Sequence, residues 1–274
     1  MKVFISADME GVTGVSGLLH MKDGGYERMR KLLTEDINVA IDGAFEAGAT
    51  EVLVADAHGD GTNILIEDLD DRAELISGSN NLLNQMVGLD ETFDAVFFIG
   101  YHGGEGHGDG VLNHTIHSGV CTNITCNGKV AGELALNAGI AGHFDVPVVL
   151  VVGDDVACDE GRETLGDVET VAVKKSLDRY TARLLSPKRS HKLIKEGAIR
   201  SLKRVKEFKP YKVEAPVEIA LTTKLTSQAR IATLFPTIKR RDSKTVVMTS
   251  DNYLEAYMQL WGCLIIGGVA TTEI

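Results

Sequence analysis

Ile5-Ser6-Ala7-Asp8-Met9-Glu10-Gly11 is the stretch from which the fold of this chain can be read. Val3-Phe4-Ile5 ahead of it is β-branched and aromatic, the composition of a buried strand. Asp8 and Glu10 stand where that strand ends. Side chains two apart on a strand point the same way. Two carboxylates therefore converge at a strand's carboxyl edge, where open α/β sheets place their ligands. Bare carboxylates side by side repel, so the pair calls for a positive partner. The alternative is a solvated acidic loop, and the positions of the histidines decide between the two.

Working outward, apolar residues recur at three or four positions over 26–48 (Met29, Leu33, Ile37, Ala40, Ala44). This predicts a helix closed by Gly48. Residues 51–55 read as a second buried strand, ending in Asp56-Ala57-His58. Strand, helix and strand in succession make a βαβ unit with adjacent parallel strands. Asp56 and His58 then emerge at the same edge as Asp8 and Glu10. A short strand over 73–76 and a modest helix over 81–89 follow. A buried strand over 94–99 runs into Gly100-Tyr101-His102, and a glycine-rich loop continues to Gly110. That loop lacks the Lys-Ser/Thr of a P-loop.

Residues 112–125 alternate in places and carry His114 and His117; Asn127-Gly128 predicts a hairpin turn. A small-residue helix over 132–144 has Glu133 in its first turn, where a carboxylate is favoured. Strands are expected over 146–152 and 168–173, and Ser186-Pro187 opens a helix with Ile194, Ala198, Leu202 and Val205 on its apolar face. Pro210 and Pro216 mark a boundary. Beyond it come strands at 217–221 and 245–249 and helices at 227–234 and 251–264. The expected fold class is α/β: a mainly parallel sheet with flanking helices in a main domain (1–210), and a smaller α+β portion (211–274) packing on it.

The composition, 44% hydrophobic and 24% charged over 274 residues, is that of an ordinary globular chain. Met1-Lys2 leads straight into a strand, and no apolar run reaches the roughly 18 residues needed to span a bilayer. A cytoplasmic protein with no membrane role is expected. The four scattered cysteines form no C-x-x-C pair and read as buried free thiols. Charge is uneven: residues 1–170 hold 30 acidic against 8 basic residues, and 171–274 hold 9 against 20. An acidic half repels nucleic acid and anionic substrates and attracts cations. The basic stretch 174–212 lacks interleaved aromatics and any nucleic-acid motif, and reads as a solvated face turned to the acidic half or to a neighbouring subunit.

Asp8, Glu10, Asp56, His58, His102, His114 and Glu133 all fall at strand ends, helix starts or the loop beside them. Mixed carboxylate and imidazole donors suit zinc and related divalent ions, and this many of them suit two ions sharing a carboxylate. Asp8, at the centre of the set, is the expected bridge. His20, His107, His117, His143 and His191 lack such placement and read as surface or structural residues.

Asp8-Met-Glu-Gly11, Asp56-Ala-His58, Gly100-Tyr-His102, Gly110-Val-Leu-Asn-His114 and Gly132-Glu-Leu-Ala-Leu-Asn137 together resemble the D-aminopeptidase (DppA) family of zinc peptidases. So do Leu75-Ile-Ser-Gly78, Gly153-Asp-Asp155, Ala172-Val-Lys174 and Leu254-Glu-Ala-Tyr257. The resemblance implies a two-zinc site with Asp8, Glu10, His58, His102 and Glu133 as ligands and His114 as the catalytic residue. It further implies a homo-oligomeric ring, a decamer, with sites facing an internal chamber. The expected activity is hydrolysis of short peptides from a free amino terminus, D-residues included, by a metal-activated water. The alternatives are another two-metal hydrolase, an amidase or phosphatase, and a metal-stabilised ring without catalysis.

Overall fold

The structure is a computed structural model that describes residues 1–17, 24–79 and 81–270. Among the described residues the larger sheet has the order β3-β2-β1-β4-β7-β8-β9. Its strands are β1 (Lys2–Ala7), β2 (Glu51–Asp56), β3 (Ala73–Ile76), β4 (Ala95–Tyr101), β7 (Val148–Asp154), β8 (Glu169–Asp178) and β9 (Thr181–Leu184). All pair in parallel except β9, which runs back along β8. The chain moves from β1 outward to β2 and β3, then returns to lay β4 on the other side of β1. The topological switch point therefore lies between the carboxyl ends of β1 and β4.

The expected alternation is realised on both faces of this sheet. Val3, Ile5 and Ala7 pack into a core covered by α1 (Gly24–Glu46) and α4 (Pro187–Lys203), while Phe4 turns to the other side. Met29, Leu33, Ile37, Ala40 and Ala44 of α1 are fully buried, as their periodicity predicts. Met29, Leu33 and Ile37 each contribute about 1.5–3 kcal/mol on burial, the alanine methyls less. Gly48 ends the helix at a φ of 98°. The second core lies under α2 (Glu133–His143), α3 (Asp155–Leu165) and α6 (Tyr253–Val269), and contains Phe98, Tyr101, Leu136 and Tyr257.

A smaller antiparallel sheet has the order β11-β12-β10-β5-β6. It joins the hairpin β5 (Cys121–Cys126) and β6 (Lys129–Val130) to β10 (Val217–Thr223), β11 (Lys239–Arg240) and β12 (Thr245–Ser250). The hairpin turns at Asn127 and Gly128, both at positive φ, as the dipeptide predicts. The short helix α5 (Thr226–Ala232) packs against α6.

Several local expectations change. The helix expected over 81–89 is a single 3-10 turn, Asn84–Met86, because Asn84 and Gly88 both take positive φ. Residues 112–117 are loop, with Leu112 and Ile116 in the left-handed region, and the strand begins only at Cys121. The helix α3 and the hairpin partner β9 were not anticipated. Val205 lies in a separate 3-10 turn beyond α4. All four cysteines are free and buried, as expected. No helix among the described residues is long and apolar enough to cross a membrane.

Candidate metal centre

The ends of β1 and β4 cross at very short range. Asp8 N donates to Ile99 O at 2.8 Å, and Gly11 N donates to Gly100 O at 2.7 Å. A Cβ on Gly11 would stand 1.8 Å from Tyr101 O, and one on Gly100 would stand 2.1 Å from Asp8 O. Only glycine fits either position. This crossing sets Asp8 and Glu10 opposite His102.

His58 reaches the same point from the end of β2. Its Nδ1 lies 3.2 Å from Asp8 Oδ1 and 3.0 Å from Glu10 Oε2. His102 Nε2 lies 3.4 Å from Asp8 Oδ2 and 3.6 Å from Glu133 Oε1, the latter carried in by the first turn of α2. His114 Nε2 stands 3.8 Å from Glu133 Oε1. Six of the seven residues selected from the sequence, all but Asp56, are thus brought together. Three triads can each hold an ion: Asp8, Glu10 and His58; Asp8, His102 and Glu133; Glu10, His102 and His114. Asp8, Glu10, His102 and Glu133 are buried. Asp8, Glu10 and Glu133, together with His58 and His114, line a cleft of about 330 Å³ with Asn84, Ile116, His117, Ser118 and Trp261.

The tautomers follow from the backbone. His102 Nδ1 is 3.0 Å from Gly103 O and His114 Nδ1 is 2.8 Å from Leu112 O. Each Nδ1–H donates to its carbonyl, which turns Nε2 towards the carboxylates. Among the described residues, His102 Nε2 and Glu10 Oε2 are buried without a well-formed hydrogen bond, although His58 Nδ1 lies 3.0 Å from Glu10 Oε2 and Asp8 Oδ2 lies 3.4 Å from His102 Nε2. Buried polar atoms so placed are rare and need a cause. Here an imidazole nitrogen and a carboxylate oxygen share one cluster, the donor set that a zinc-type cation satisfies.

The local charge balance points the same way. Burial and the neighbouring Glu10 push the Asp8 carboxyl up to about 6. Burial alone would raise Glu133, but its close contact with His102 and that ring's charge hold it at about 2. His102 is lowered by burial and raised more strongly by Glu133, ending at about 10. The carboxylates favour the charged rings of His58 and His102.

A layer of polar side chains fixes the cluster from behind. Glu133 Oε2 accepts from Gln85 Nε2 at 2.6 Å and Glu133 Oε1 from Ile116 N at 2.6 Å. Asn137 Nδ2 donates to Gln85 Oε1 at 2.6 Å and to Tyr101 Oη at 2.8 Å, and Tyr101 Oη also pairs with Ser6 Oγ at 2.8 Å. Lys174, fully enclosed, donates to Glu10 O at 2.6 Å and Val15 O at 2.7 Å; burial pushes its ammonium down to about 8. Asp56 does not face the cluster. Its oxygens accept from Asn63 N, Ile64 N and Asn63 Nδ2, which shapes the loop after His58. Gln85, Asn137 and Lys174 went unrecognised as contributors, since a neutral amide or a lone lysine carries no spacing signal. His117 lines the cleft, His143 and His191 lie away from it, and His20 falls outside the described residues.

Comparison with known proteins agrees with this geometry. The sequence model of the peptidase M55 family, D-aminopeptidase, matches residues 1–261. A D-aminopeptidase of Bacillus subtilis (strain 168) is 36% identical over 263 residues, 95% of each chain. The solved structure of the Zn-dependent D-aminopeptidase DppA from Bacillus subtilis, described as a self-compartmentalizing protease, superposes with a TM-score of 0.95. It is 34% identical and covers all of both chains. A sheet switch point that gathers three carboxylates and three imidazoles, together with these matches along almost the whole sequence, places this chain in the D-aminopeptidase family.

Proposed function

We propose that this chain is a zinc-dependent aminopeptidase that hydrolyses short peptides, D-residue-containing ones included, from a free amino terminus. The observation that carries the proposal is the convergence of three carboxylates and three imidazoles on one buried point, arranged as triads that fit a metal ion. In this reading Asp8, Glu10, His58, His102 and Glu133 hold two ions. Asp8 would be the residue shared between the two positions, because its Oδ1 faces His58 while its Oδ2 faces His102. Bound ions of this type supply Lewis acidity towards the scissile carbonyl and lower the pKa of water.

The side chains divide the remaining work. The likeness to D-aminopeptidases supports a substrate with a free amino terminus, and the chain's net charge of −11 disfavours anionic substrates at long range. With Nδ1 fixed on Leu112 O, His114 Nε2 would take a proton from the attacking water and return it to the leaving amine. Gln85 and Ile116 N keep Glu133 in place. Residues 1–210 carry the chemistry in this reading, and residues 211–274 add a wall through Trp261. The likeness to a self-compartmentalizing protease supports a homo-oligomeric ring, which we take to be a cytoplasmic decamer.

A panel of D- and L-aminoacyl dipeptides, each free or N-acetylated, tests the proposal with and without chelator. Cleavage confined to free amino termini, lost with chelator and restored by zinc, is the expected result. Undiminished turnover of the acetylated peptides, or of any peptide after metal is stripped, would reject it.

A further inference from the structure

The loop that presents His114 is bent against its own backbone preferences. Leu112 has a φ of 53° and Ile116, a β-branched residue, a φ of 55°. Neither is glycine, and they flank His114 symmetrically. Left-handed conformations in such residues persist only where the surroundings over-determine them, and they cluster at functional sites. The bonds that impose them can be named. Ile116 N donates to Glu133 Oε1 at 2.6 Å, and Val111 N donates to Asp154 Oδ2 at 3.0 Å. Both carboxylates are buried in the body of the fold.

The third anchor comes from elsewhere. Leu112 N donates to Arg179 O at 2.8 Å, and the Arg179 guanidinium donates to both the carbonyl and the side-chain oxygen of Asn113. Arg179 lies in the turn between β8 and β9, 66 residues further along the chain. The root of that hairpin is held by Ser176 N on Asp155 Oδ1 at 2.7 Å. One residue thus grips two consecutive positions of the loop, 112 and 113, by main chain and side chain together. The next residue is His114.

We infer that Arg179 is a positioning residue for His114: its carbonyl and guanidinium lock the 112–113 turn so that His114 Nε2 faces the metal centre. This rests on the reading of His114 as the proton-transferring group. The planar guanidinium suits the task, because it engages two oxygens of Asn113 in a fixed geometry, which a lysine ammonium does less well. Arg179 touches neither the metal ligands nor the cleft, so it acts through the loop alone.

Arg179→Ala, Arg179→Lys and Asn113→Ala, each as the full-length zinc-loaded protein, decide the matter. The readouts are kcat and KM on a cleaved dipeptide, metal content, and hydrogen exchange of the 110–117 segment. For Arg179→Ala we expect kcat lower by about 10- to 100-fold, the scale of a misplaced catalytic group. KM should change less than about two-fold, metal content should hold, and exchange across the loop should accelerate. Added guanidinium ion should restore part of kcat in Arg179→Ala. All three variants keep the main-chain bond from Leu112 N to Arg179 O; Arg179→Lys still offers an ammonium donor to Asn113 and should lose less than Arg179→Ala, and Asn113→Ala should fall between it and wild type. If Arg179→Ala fails to fold, the other two variants carry the same test. Normal kcat in Arg179→Ala, or a kcat loss that tracks lost metal, would overturn the inference. If the wild type cleaves no peptide, the functional reading fails instead, and exchange still reports on the clamp: equal protection in wild type and Arg179→Ala rejects it.

Discussion

His102 and His114 stack face to face, with ring centroids 4.5 Å apart and planes 12° from parallel. Yet one ring ends a buried strand and the other hangs from a strained loop. Each fixes its tautomer through a different carbonyl, Gly103 O for His102 and Leu112 O for His114. Two imidazoles in contact can therefore serve different ends: His102 faces Asp8 and Glu133, and His114 lies nearer solvent.

This contrast yields the first prediction. His102→Ala should lower metal content, since it removes a donor from the centre of the cluster. His114→Ala should keep its metal and lose kcat by roughly 100- to 10,000-fold, about 3–5 kcal/mol of barrier. KM should change little, because the interaction belongs to the transition state. Elemental analysis and steady-state kinetics on both variants check it, and zinc loss in His114→Ala would reverse the assignment.

A second prediction concerns stoichiometry. Asp8 addresses His58 with one oxygen and His102 with the other. Protein purified without chelator should hold about two zinc-type ions per chain, and Asp8→Ala should affect both positions together. A wild-type value near zero or one after zinc supplementation would exclude the paired site.

The polar layer behind Glu133 gives a third. Gln85→Ala removes the donor to Glu133 Oε2 and leaves Asn137 without its acceptor on Gln85. Loss of such supporting groups costs on the order of 10- to 100-fold in metal affinity. The stranded buried groups should also cost about 1–3 kcal/mol of stability. Zinc titration against a competing chelator and chemical denaturation measure the two effects, and unchanged affinity would show that the layer only packs.

The fourth prediction is a pH dependence far from the cleft. His191 Nε2 lies 3.3 Å from Asp36 Oδ1 between α4 and α1, and this contact raises the imidazole above its usual value against a smaller effect of burial. A raised folded-state value means that the charged ring stabilises the native state fully below about pH 6.5. The contribution fades as pH climbs through the elevated value. His191→Gln should thus be less stable than wild type in mild acid, with the gap closing in mild base. Solvent access to the ring limits the effect to about 0.5–1 kcal/mol. Thermal unfolding across that range reads it, and a gap that widens with pH would show the opposite sign.

The parts legible in sequence share one property: their signals are local. β1, α1 and β2 followed from periodicity and punctuation, and the edge they create gathered Asp8, Glu10, His58 and His102. The Asn127-Gly128 turn was equally local. The missed features depend on distant pairing. β9 is a four-residue exposed strand whose meaning comes from β8, and the strands after Pro216 find β5, nearly a hundred residues earlier. Lys174 reads as one more member of a basic run, yet it is among the most deeply enclosed side chains of the protein. Gln85 fell in a segment where an expected helix gave way to a 3-10 turn, and only that turn aims it at Glu133.

The glycine crossing of Gly11 and Gly100 divides the centre into a fixed wall and a yielding one. Asp8 and His102 sit on strand ends locked at atomic contact, so the gap between them cannot widen without tearing β1 from β4. His58 and His114 stand on loops, and their side chains are 14% and 18% exposed against 4% and 2% for Asp8 and His102. Traffic of ions and peptides in and out of the cleft must pass the loop side. Exchange rates should accordingly respond to changes in the segments around residues 59–63 and 110–117, and be indifferent to changes on the strand side that leave the crossing whole.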